Sequence, residues 1–185
     1  MQIHRDWTAL KAEARGASVA MGNFDGVHRG HRTVIDAARA ASDAPLGILT
    51  FEPHPREYFA PDAPPFRLMN AEARANRLSR LGVAHLYELP FGPVLAGLTP
   101  EAFAREVLAE GLGVAHVTVG ADFCFGKNRA GTAATLQDLG RQLGFGVTIV
   151  PLAGSEGADY SSTAIREALA RGDTQAAERM LGHWH

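Results

Sequence analysis

The most informative stretch of the sequence is Gly22-Asn23-Phe24-Asp25-Gly26-Val27-His28-Arg29-Gly30-His31, where two histidines and three glycines separate an apolar run from an alanine-rich segment. The run at 17–21 predicts a strand, and the segment at 33–41 predicts a helix. A helix start offers free backbone N–H groups, and glycine lets a phosphate approach the main chain. Because imidazoles add hydrogen-bond donors, this unit is predicted to hold a polyphosphate. The alternative is a glycine turn that carries two surface histidines.

The composition predicts a single domain covering residues 1–185, since 46% of the residues are hydrophobic and the formal net charge is −2. No long basic stretch favours nucleic acid as a partner, and no apolar run reaches the length of a membrane span. Cys124 is the only cysteine, which excludes an internal disulfide and favours a reducing compartment. The N-terminus lacks the apolar core of a signal peptide. We therefore expect a cytoplasmic protein.

Apolar runs alternate with amphipathic runs along the chain. The apolar runs predict five strands, at residues 18–21, 46–51, 84–89, 115–119 and 146–150. The amphipathic runs predict six helices, at residues 31–41, 71–81, 100–110, 133–143, 162–170 and 174–181. Gly111, Gly144 and Gly172 are expected as left-handed caps, and the Pro-rich piece 53–65 as a loop. The alternation predicts an α/β fold with a Rossmann-like, doubly wound, mostly parallel five-stranded sheet.

Two further segments leave predicted strands. The first, Thr50-Phe51-Glu52-Pro53-His54-Pro55, has a backbone fixed by two prolines, and Phe51 offers a flat face to an aromatic ligand. The second, at 120–128, places Asp122 beside alternating aromatic residues that suit a ring-binding pocket. The carboxyl ends of parallel strands share one edge, so both segments are expected near the first stretch. The alternatives are a stiff surface loop and ordinary packing at a strand end.

The segment Tyr160-Ser161-Ser162-Thr163-Ala164-Ile165-Arg166 opens the fifth predicted helix. Ser161 or Ser162 suits the N-cap, which by itself is a structural role. Hydroxyl groups, helix-start N–H groups and a forked guanidinium together suit a pyrophosphate. The alternative for Arg166 is a side chain that faces solvent. Asp25 likewise has two roles open to it, a ligand contact or a turn residue that accepts from backbone N–H groups.

In this order the segments resemble the FMN adenylyltransferase (FAD synthetase) module of the prokaryotic bifunctional riboflavin kinase/FAD synthetase family. That family belongs to the nucleotidyltransferase superfamily, which is marked by His-x-Gly-His, here 28–31, and Ser-Ser-Thr-x-x-Arg, here 161–166. The longer match at 22–31, with 50–55 and 120–126, narrows the resemblance from superfamily to family. The resemblance covers essentially the whole chain and implies a fold of the nucleotidyltransferase type.

The resemblance implies transfer of an adenylyl group from ATP to FMN, giving FAD and pyrophosphate. It implies the catalytic residues His28, His31 and Arg166. It implies the ATP-binding residues Gly22, Asn23, Phe24, Asp25, His28, Gly30, His31, Ser161, Ser162, Thr163 and Arg166. It implies the flavin-binding residues Phe51, Pro53, His54, Pro55, Asp122, Phe123 and Phe125. Mg²⁺ is expected to arrive with ATP, held mainly by phosphates and water, and the sequence specifies no protein ligands for it.

Some positions depart from the family pattern. Tyr160 replaces a small or branched apolar residue, Ala164 a longer side chain, and Asp122 the asparagine of some relatives. The bifunctional family continues into a C-terminal riboflavin kinase module near where this sequence stops, so we expect no kinase activity from it. Two other functions remain open. One is nucleotidyl transfer to another acceptor, such as nicotinamide mononucleotide, phosphopantetheine or a polyol phosphate, and the other is flavin binding without catalysis.

Overall fold

The computed structural model of the chain describes residues 1–151, 154–155 and 158–183. Its strands are β1 (Gln2–His4), β2 (Ser18–Met21), β3 (Leu46–Glu52), β4 (His85–Pro90), β5 (His116–Gly120), β6 (Cys124–Phe125), β7 (Gly131–Thr132), β8 (Gly146–Val150), β9 (Gly154–Ser155) and β10 (Ala158–Asp159). Its α-helices are α1 (Arg29–Ala40), α2 (Pro55–Phe59), α3 (Ala71–Arg80), α4 (Pro93–Gly97), α5 (Pro100–Ala102), α6 (Ala133–Leu143), α7 (Ser162–Ala170) and α8 (Thr174–Leu181). Helix α5 continues into a π-helical segment, Phe103–Leu112, and 3₁₀ turns occupy Ala12–Ala14 and Lys127–Arg129.

Six of these strands form one sheet in the order β1-β4-β3-β2-β5-β8, and all the neighbouring pairs are parallel. The chain leaves β2 towards β3 and β4 on one side, and it then returns to place β5 on the other side of β2. The strand order therefore reverses at β2. Beyond the carboxyl ends of β2 and β5 this reversal opens a crevice, which is where sheets of this kind bind ligands.

The α/β class and the parallel sheet are confirmed, but the sheet has six strands in the described part of the chain where five were expected. All five predicted strands are present, and two of them have the predicted bounds. The sixth, β1, pairs with β4 at the edge of the sheet. Its three residues include exposed Gln2 and Ile3, so it lacks the apolar run by which a strand is recognised in sequence.

The helices at 133–143, 162–170 and 174–181 have the predicted bounds. Gly144 and Gly172 are left-handed as expected, whereas the prediction for Gly111 was wrong. The π-helical segment continues past Gly111, and Gly113 provides the left-handed cap with φ 57°. Gly111 lies so close to the chain that a Cβ atom there would come within 2.7 Å of the Trp7 carbonyl oxygen. Packing against the N-terminal segment, rather than a turn, therefore requires this glycine.

Helices cover both faces of the sheet. Val19 and Met21 of β2 point into one apolar cluster with the π-helical segment and α6, while Ala20 points into a second cluster with α1 and α3. In a third cluster, Leu68 packs against Ile165 of α7 and the end of α8. This third cluster brings the start of α7 to the loop that follows β2. No helix in the described ranges is long and apolar enough to span a membrane.

Candidate active site

A cleft of about 1130 Å³ opens at the carboxyl ends of the strands. Its walls come from the connections that follow β2, β3, β4, β5 and β8, and from the start of α7. The structure brings almost all of the predicted site residues to this cleft, and only Pro53 does not line it. The residues brought together are Gly22, Asn23, Phe24, Asp25, His28, Gly30, His31, Phe51, His54, Pro55, Asp122, Phe123, Phe125, Ser161, Ser162, Thr163 and Arg166.

The loop between β2 and α1 has an unusual backbone. Phe24 and Val27 both have left-handed conformations, with φ 51° and φ 41°, which a β-branched residue such as valine rarely adopts. Both side chains are buried, so apolar packing holds them in place. Such strain persists only where the surroundings determine it, and it is concentrated at functional sites. The loop is therefore a rigid element of the cleft.

His28 is the N-cap residue of α1, and its Nδ1 atom accepts a hydrogen bond from the backbone N–H of His31 at 3.3 Å. Because Nδ1 accepts, the proton of the neutral ring is on Nε2, which leaves Nε2–H as a donor. The rings of His28 and His31 are stacked with centroids 3.6 Å apart, and Phe24 contacts His31 from 5.1 Å. The Nδ1 atom of His31 is buried and has no hydrogen-bond partner among the described residues.

Burial keeps the imidazoles of the cleft neutral. It lowers the pKa of His28 to about 4, and it lowers the pKa of His31 well below 6.5, with the neighbouring His28 adding to that effect. Burial also lowers the pKa of His54 to about 4. At neutral pH these rings therefore act as neutral hydrogen-bond donors and acceptors and not as cations.

These pKa values predict how stability depends on pH. An unfolded histidine titrates near pH 6.5, whereas folded His28 and His54 have pKa values of about 4. Between these values the unfolded chain binds more protons, so the free energy of unfolding falls as the pH drops from 6.5 towards 4. We expect a lower urea midpoint at pH 5 than at pH 7. The double variant His28→Asn/His54→Asn keeps side chains that can cap a helix, and its urea midpoint should fall less between pH 7 and pH 5. An equal fall in the two proteins would contradict the low pKa values of His28 and His54.

Gly30 lies where α1 meets the segment before α7. A Cβ atom at this position would come within 2.7 Å of the Tyr160 carbonyl oxygen and 3.2 Å of the His28 ring. Ser162, the first residue of α7, donates a hydrogen bond from its hydroxyl to the Asp25 carbonyl oxygen at 2.8 Å. Ser161 is the N-cap of α7 and accepts from the N–H of Ala164. The His-x-Gly-His loop and the start of α7 are thus in direct contact.

The carboxylate of Asp25 is almost fully buried and has three donors. Its Oδ1 atom accepts from the backbone N–H groups of Leu68 and Met69 at 2.9 and 3.2 Å. Its Oδ2 atom pairs with Nη2 of Arg166 at 2.7 Å. The two backbone N–H groups come from a segment more than forty residues away and not from the turn that contains Asp25. Asp25 therefore orients Arg166 and anchors the 66–69 segment.

Arg166 points into the cleft and does not face open solvent. Its Nε atom donates to the Phe66 carbonyl oxygen at 2.8 Å, and its guanidinium lies 5.0 Å from the centre of the Phe66 ring. With Nη2 paired to Asp25, the Nη1 atom has no partner among the described residues. The Nη1 atom is left to donate charge-assisted hydrogen bonds to an anionic ligand such as a phosphate.

Aromatic side chains form much of the cleft wall. Phe51, at the end of β3, contacts the rings of Phe91 and Phe103 at 5.7 and 6.5 Å. Phe123 and Phe125 are stacked with centroids 5.9 Å apart, and the exposed Asp122 precedes them. Phe59, Phe91 and Phe103 also line the cleft and were not predicted from the sequence. Phe91 comes directly after β4, just as His54 and Asp122 come shortly after β3 and β5. Because the carboxyl ends of parallel strands share one edge, the same expectation applied to β4 would have identified Phe91.

The prediction that residues 53–65 form only a loop was wrong, because they contain α2. His54 caps this helix: its Nδ1 accepts from the N–H of Arg56, and its own N–H donates to Glu57. Pro55 occupies the first helical position, where a missing N–H costs nothing. Pro53 is exposed at the cis Glu52–Pro53 bond and lies outside the cleft wall.

Two arginines and three glutamates form an ionic network next to the cleft. The guanidinium of Arg74, on α3, is 1% exposed and contacts Glu52 of β3, Glu88 of β4 and the carbonyl oxygen of Asn23. Arg67 pairs in turn with Glu52 and Glu57. One arginine therefore ties together the carboxyl ends of three neighbouring strands, which fixes the spacing of the loops that form the cleft.

The described ranges contain no group of three or more His, Cys, Asp or Glu side chains arranged to hold a metal ion. Both carboxylate oxygens of Asp25 are occupied by protein donors. Asp122 is exposed at the cleft wall and is the carboxylate there that remains open to a hydrated cation. These residues fit an ion that is carried mainly by phosphate and water.

The fold is of the nucleotidyltransferase type, with a parallel sheet whose strand order reverses beside the start of a helix. Two imidazoles and a guanidinium line the cleft at this reversal. Pantothenate synthetase from Thermus thermophilus shares this fold at a TM-score of 0.54 and 18% identity, with 98% of this chain and 82% of that chain covered. A crystal structure described as a macrolide-efflux protein from Streptococcus pneumoniae matches better, with a TM-score of 0.83 and 28% identity. It covers 98% of this chain and 61% of that chain.

The family model for FAD synthetase matches residues 10–164, and the chain belongs to this family. The bifunctional riboflavin kinase/FMN adenylyltransferase of Pseudomonas fluorescens is 40% identical over 185 residues, covering 98% of this chain and 59% of that protein. The FAD synthetase of Listeria monocytogenes is 34% identical over 189 residues, covering 100% of this chain and 76% of that protein. The chain thus spans a little over half the length of the bifunctional relatives.

Proposed function

We propose that this chain transfers the adenylyl group of ATP to the phosphate of FMN, giving FAD and pyrophosphate. Family membership and the names of the relatives support this activity. The observation that carries the proposal is the convergence of His28, His31 and Arg166 on one cleft that continues into an aromatic wall. The polar groups of the cleft suit a triphosphate, and its aromatic side chains suit a flat ring system.

The proposed chemistry is a direct displacement. The FMN phosphate is already an oxyanion, so the reaction requires no general base. One of its oxygens forms a bond to the α-phosphorus of ATP, the bond from that phosphorus to the bridging oxygen breaks, and pyrophosphate leaves with the electron pair. The protein contributes positioning and charge stabilisation. The Nε2–H of His28 and the ring of His31 donate to the α-phosphate, and Arg166 binds the leaving pyrophosphate.

Mg²⁺, when bound with ATP, neutralises the charge that develops on the phosphates. The ion would be held mainly by phosphate oxygens and water, and the exposed carboxylate of Asp122 in the cleft wall would accept a hydrogen bond from one of its waters. His28, His31 and Arg166 would position the phosphates of the Mg²⁺–ATP complex. The proposed substrates are metabolites of the cytoplasm, which agrees with the compartment expected from the single cysteine.

Incubation of the chain with ATP, Mg²⁺ and FMN, followed by chromatography, tests the proposal. We expect FAD, and we expect none of the corresponding products from nicotinamide mononucleotide or phosphopantetheine, because their rings or chains do not fill an aromatic wall. A product from one of those acceptors without FAD would reassign the substrate. A yellow protein that releases no pyrophosphate would indicate flavin binding alone. Riboflavin in place of FMN is the control for kinase activity, and we expect no FMN from these 185 residues.

Replacing Arg166 by alanine is expected to weaken ATP binding about tenfold or more, since charge-assisted hydrogen bonds contribute about 1.5–3 kcal/mol. Titration calorimetry with ATP and Mg²⁺ measures the effect. Arg171→Ala is the matched control, because Arg171 is exposed at the far end of the same helix. Equal ATP affinity in the two variants would remove Arg166 from the binding site.

A further inference from the structure

The cleft has little positive charge of its own. Its imidazoles are neutral at pH 7, and Arg166 is paired with the buried carboxylate of Asp25. The other cationic side chains in its wall are Arg56, on α2, and Arg129, in the segment after β5. A nucleotide triphosphate and a flavin phosphate together carry several negative charges. A site that holds both needs a cation that is not already neutralised by the protein.

Arg56 is placed in the cleft wall by the ring of Phe66. Its guanidinium lies 4.6 Å from the centre of the Phe66 ring, and the guanidinium of Arg166 lies 5.0 Å from the centre of the same ring. The ring of His54 contacts Phe66 edge-on at 5.0 Å. One phenylalanine therefore holds two arginines from different helices, α2 and α7, at the wall of one cleft.

The guanidinium of Arg56 is also unpaired. The ion pairs of the described residues include none to Arg56, and the adjacent Glu57 is occupied by Arg67 and by the N–H of His54. A cation–π contact positions a guanidinium without neutralising its charge or using its N–H donors. Arg56 thus keeps its charge and its donors for a ligand, whereas Arg166 has given part of both to Asp25.

We propose that Arg56 is a phosphate-binding residue of the cleft, positioned by the Phe66 ring that Arg166 also contacts, and directed at a phosphate group of one of the two substrates. This deepens the proposed function and rests on it. The chemistry is the same for the pyrophosphate end of ATP and for the phosphate of FMN, and binding measurements distinguish the two. No motif of the family resemblance includes this residue.

The test compares Arg56→Gln, Arg56→Lys and the control Arg105→Gln in the full chain. Arg105 is exposed on the π-helical segment, outside the cleft wall. Calorimetry measures the affinity for inorganic pyrophosphate with Mg²⁺, and flavin fluorescence measures the affinity for FMN. We expect Arg56→Gln to weaken one of these affinities about tenfold or more, Arg56→Lys to retain part of it, and the control to change neither. Circular dichroism verifies that each variant is folded.

The affinities of the Arg56 variants show which substrate Arg56 binds, or that it binds neither. Loss of pyrophosphate affinity places Arg56 at the triphosphate, and loss of FMN affinity places it at the acceptor. If both affinities remain unchanged, the proposal is overturned. It is also overturned if Gln and Lys cause equal losses, since the residue would then act through packing on Phe66 and not through charge. If the unmodified chain makes no FAD but its pyrophosphate affinity depends on Arg56, the proposed function fails and the assignment of Arg56 stands.

Discussion

Turnover is expected to fall about a hundredfold or more when His31 is replaced by alanine, with the fold intact. Removing one preorganised donor from a site that stabilises developing charge typically has an effect of this size. The ring of His31 is held between Phe24 and His28 in the first turn of α1, so its position is set before a ligand arrives. Alanine suits a helix, and the substitution removes the ring without disturbing the backbone.

Steady-state measurement of FAD formation by His31→Ala provides the value. The matched control is His4→Ala, because His4 also contacts a second histidine, His85, but does so at the edge of the sheet on β1. We expect the control to keep the turnover of the unmodified chain. A His31→Ala variant with normal turnover would count against any catalytic role for the His-x-Gly-His loop.

The second large effect is expected for Asp25→Ala, on stability as well as on binding. The substitution leaves the guanidinium of Arg166 and the N–H groups of Leu68 and Met69 without their acceptor. Breaking a buried ion pair by removing one partner costs about 3–5 kcal/mol, and partial exposure of Arg166 places the expected loss at the lower end, about 3 kcal/mol. ATP affinity should fall as well, because Arg166 loses the contact that orients it.

Urea denaturation measures the loss of stability. Asp36→Ala is the control, since Asp36 pairs with Arg39 on the exposed face of α1 and such surface pairs contribute less than about 1 kcal/mol. Asp25→Asn should lie between the two, because an amide oxygen still accepts from a backbone N–H group. If Asp25→Ala and Asp36→Ala had the same urea midpoint, Asp25 would not be the anchor of the 66–69 segment.

The parts of the fold that could be predicted from sequence are those specified by neighbouring residues. Helix α7 begins where Ser161 caps it, and α6 ends at the left-handed Gly144, so both helices have the predicted bounds. Strand β1 was missed because only its pairing with β4, more than eighty residues away, makes it a strand. Gly111 was misassigned because the Trp7 carbonyl that it must approach is even more distant in sequence.

The same distinction applies to the candidate site. The family resemblance implied that His28, His31 and Arg166 belong to one site, and all three line one cleft in the structure. The segments that follow β3 and β5 could be expected at the same place because parallel strands bring their carboxyl ends together. The role of Asp25 could not be chosen from sequence, since its partners Leu68 and Arg166 come from distant segments. Neutral imidazoles likewise follow from burial, which composition alone does not reveal.

The stereochemistry at the α-phosphorus distinguishes direct displacement from a mechanism with a covalent intermediate. In the proposed direct displacement, the FMN phosphate and the departing pyrophosphate lie on opposite sides of that atom, with no nucleophile from the chain between them. FAD formed from FMN and one diastereomer of the α-thio analogue of ATP should therefore have inverted configuration at phosphorus. Retention of configuration would demonstrate a covalent adenylyl-enzyme intermediate and would contradict the direct displacement.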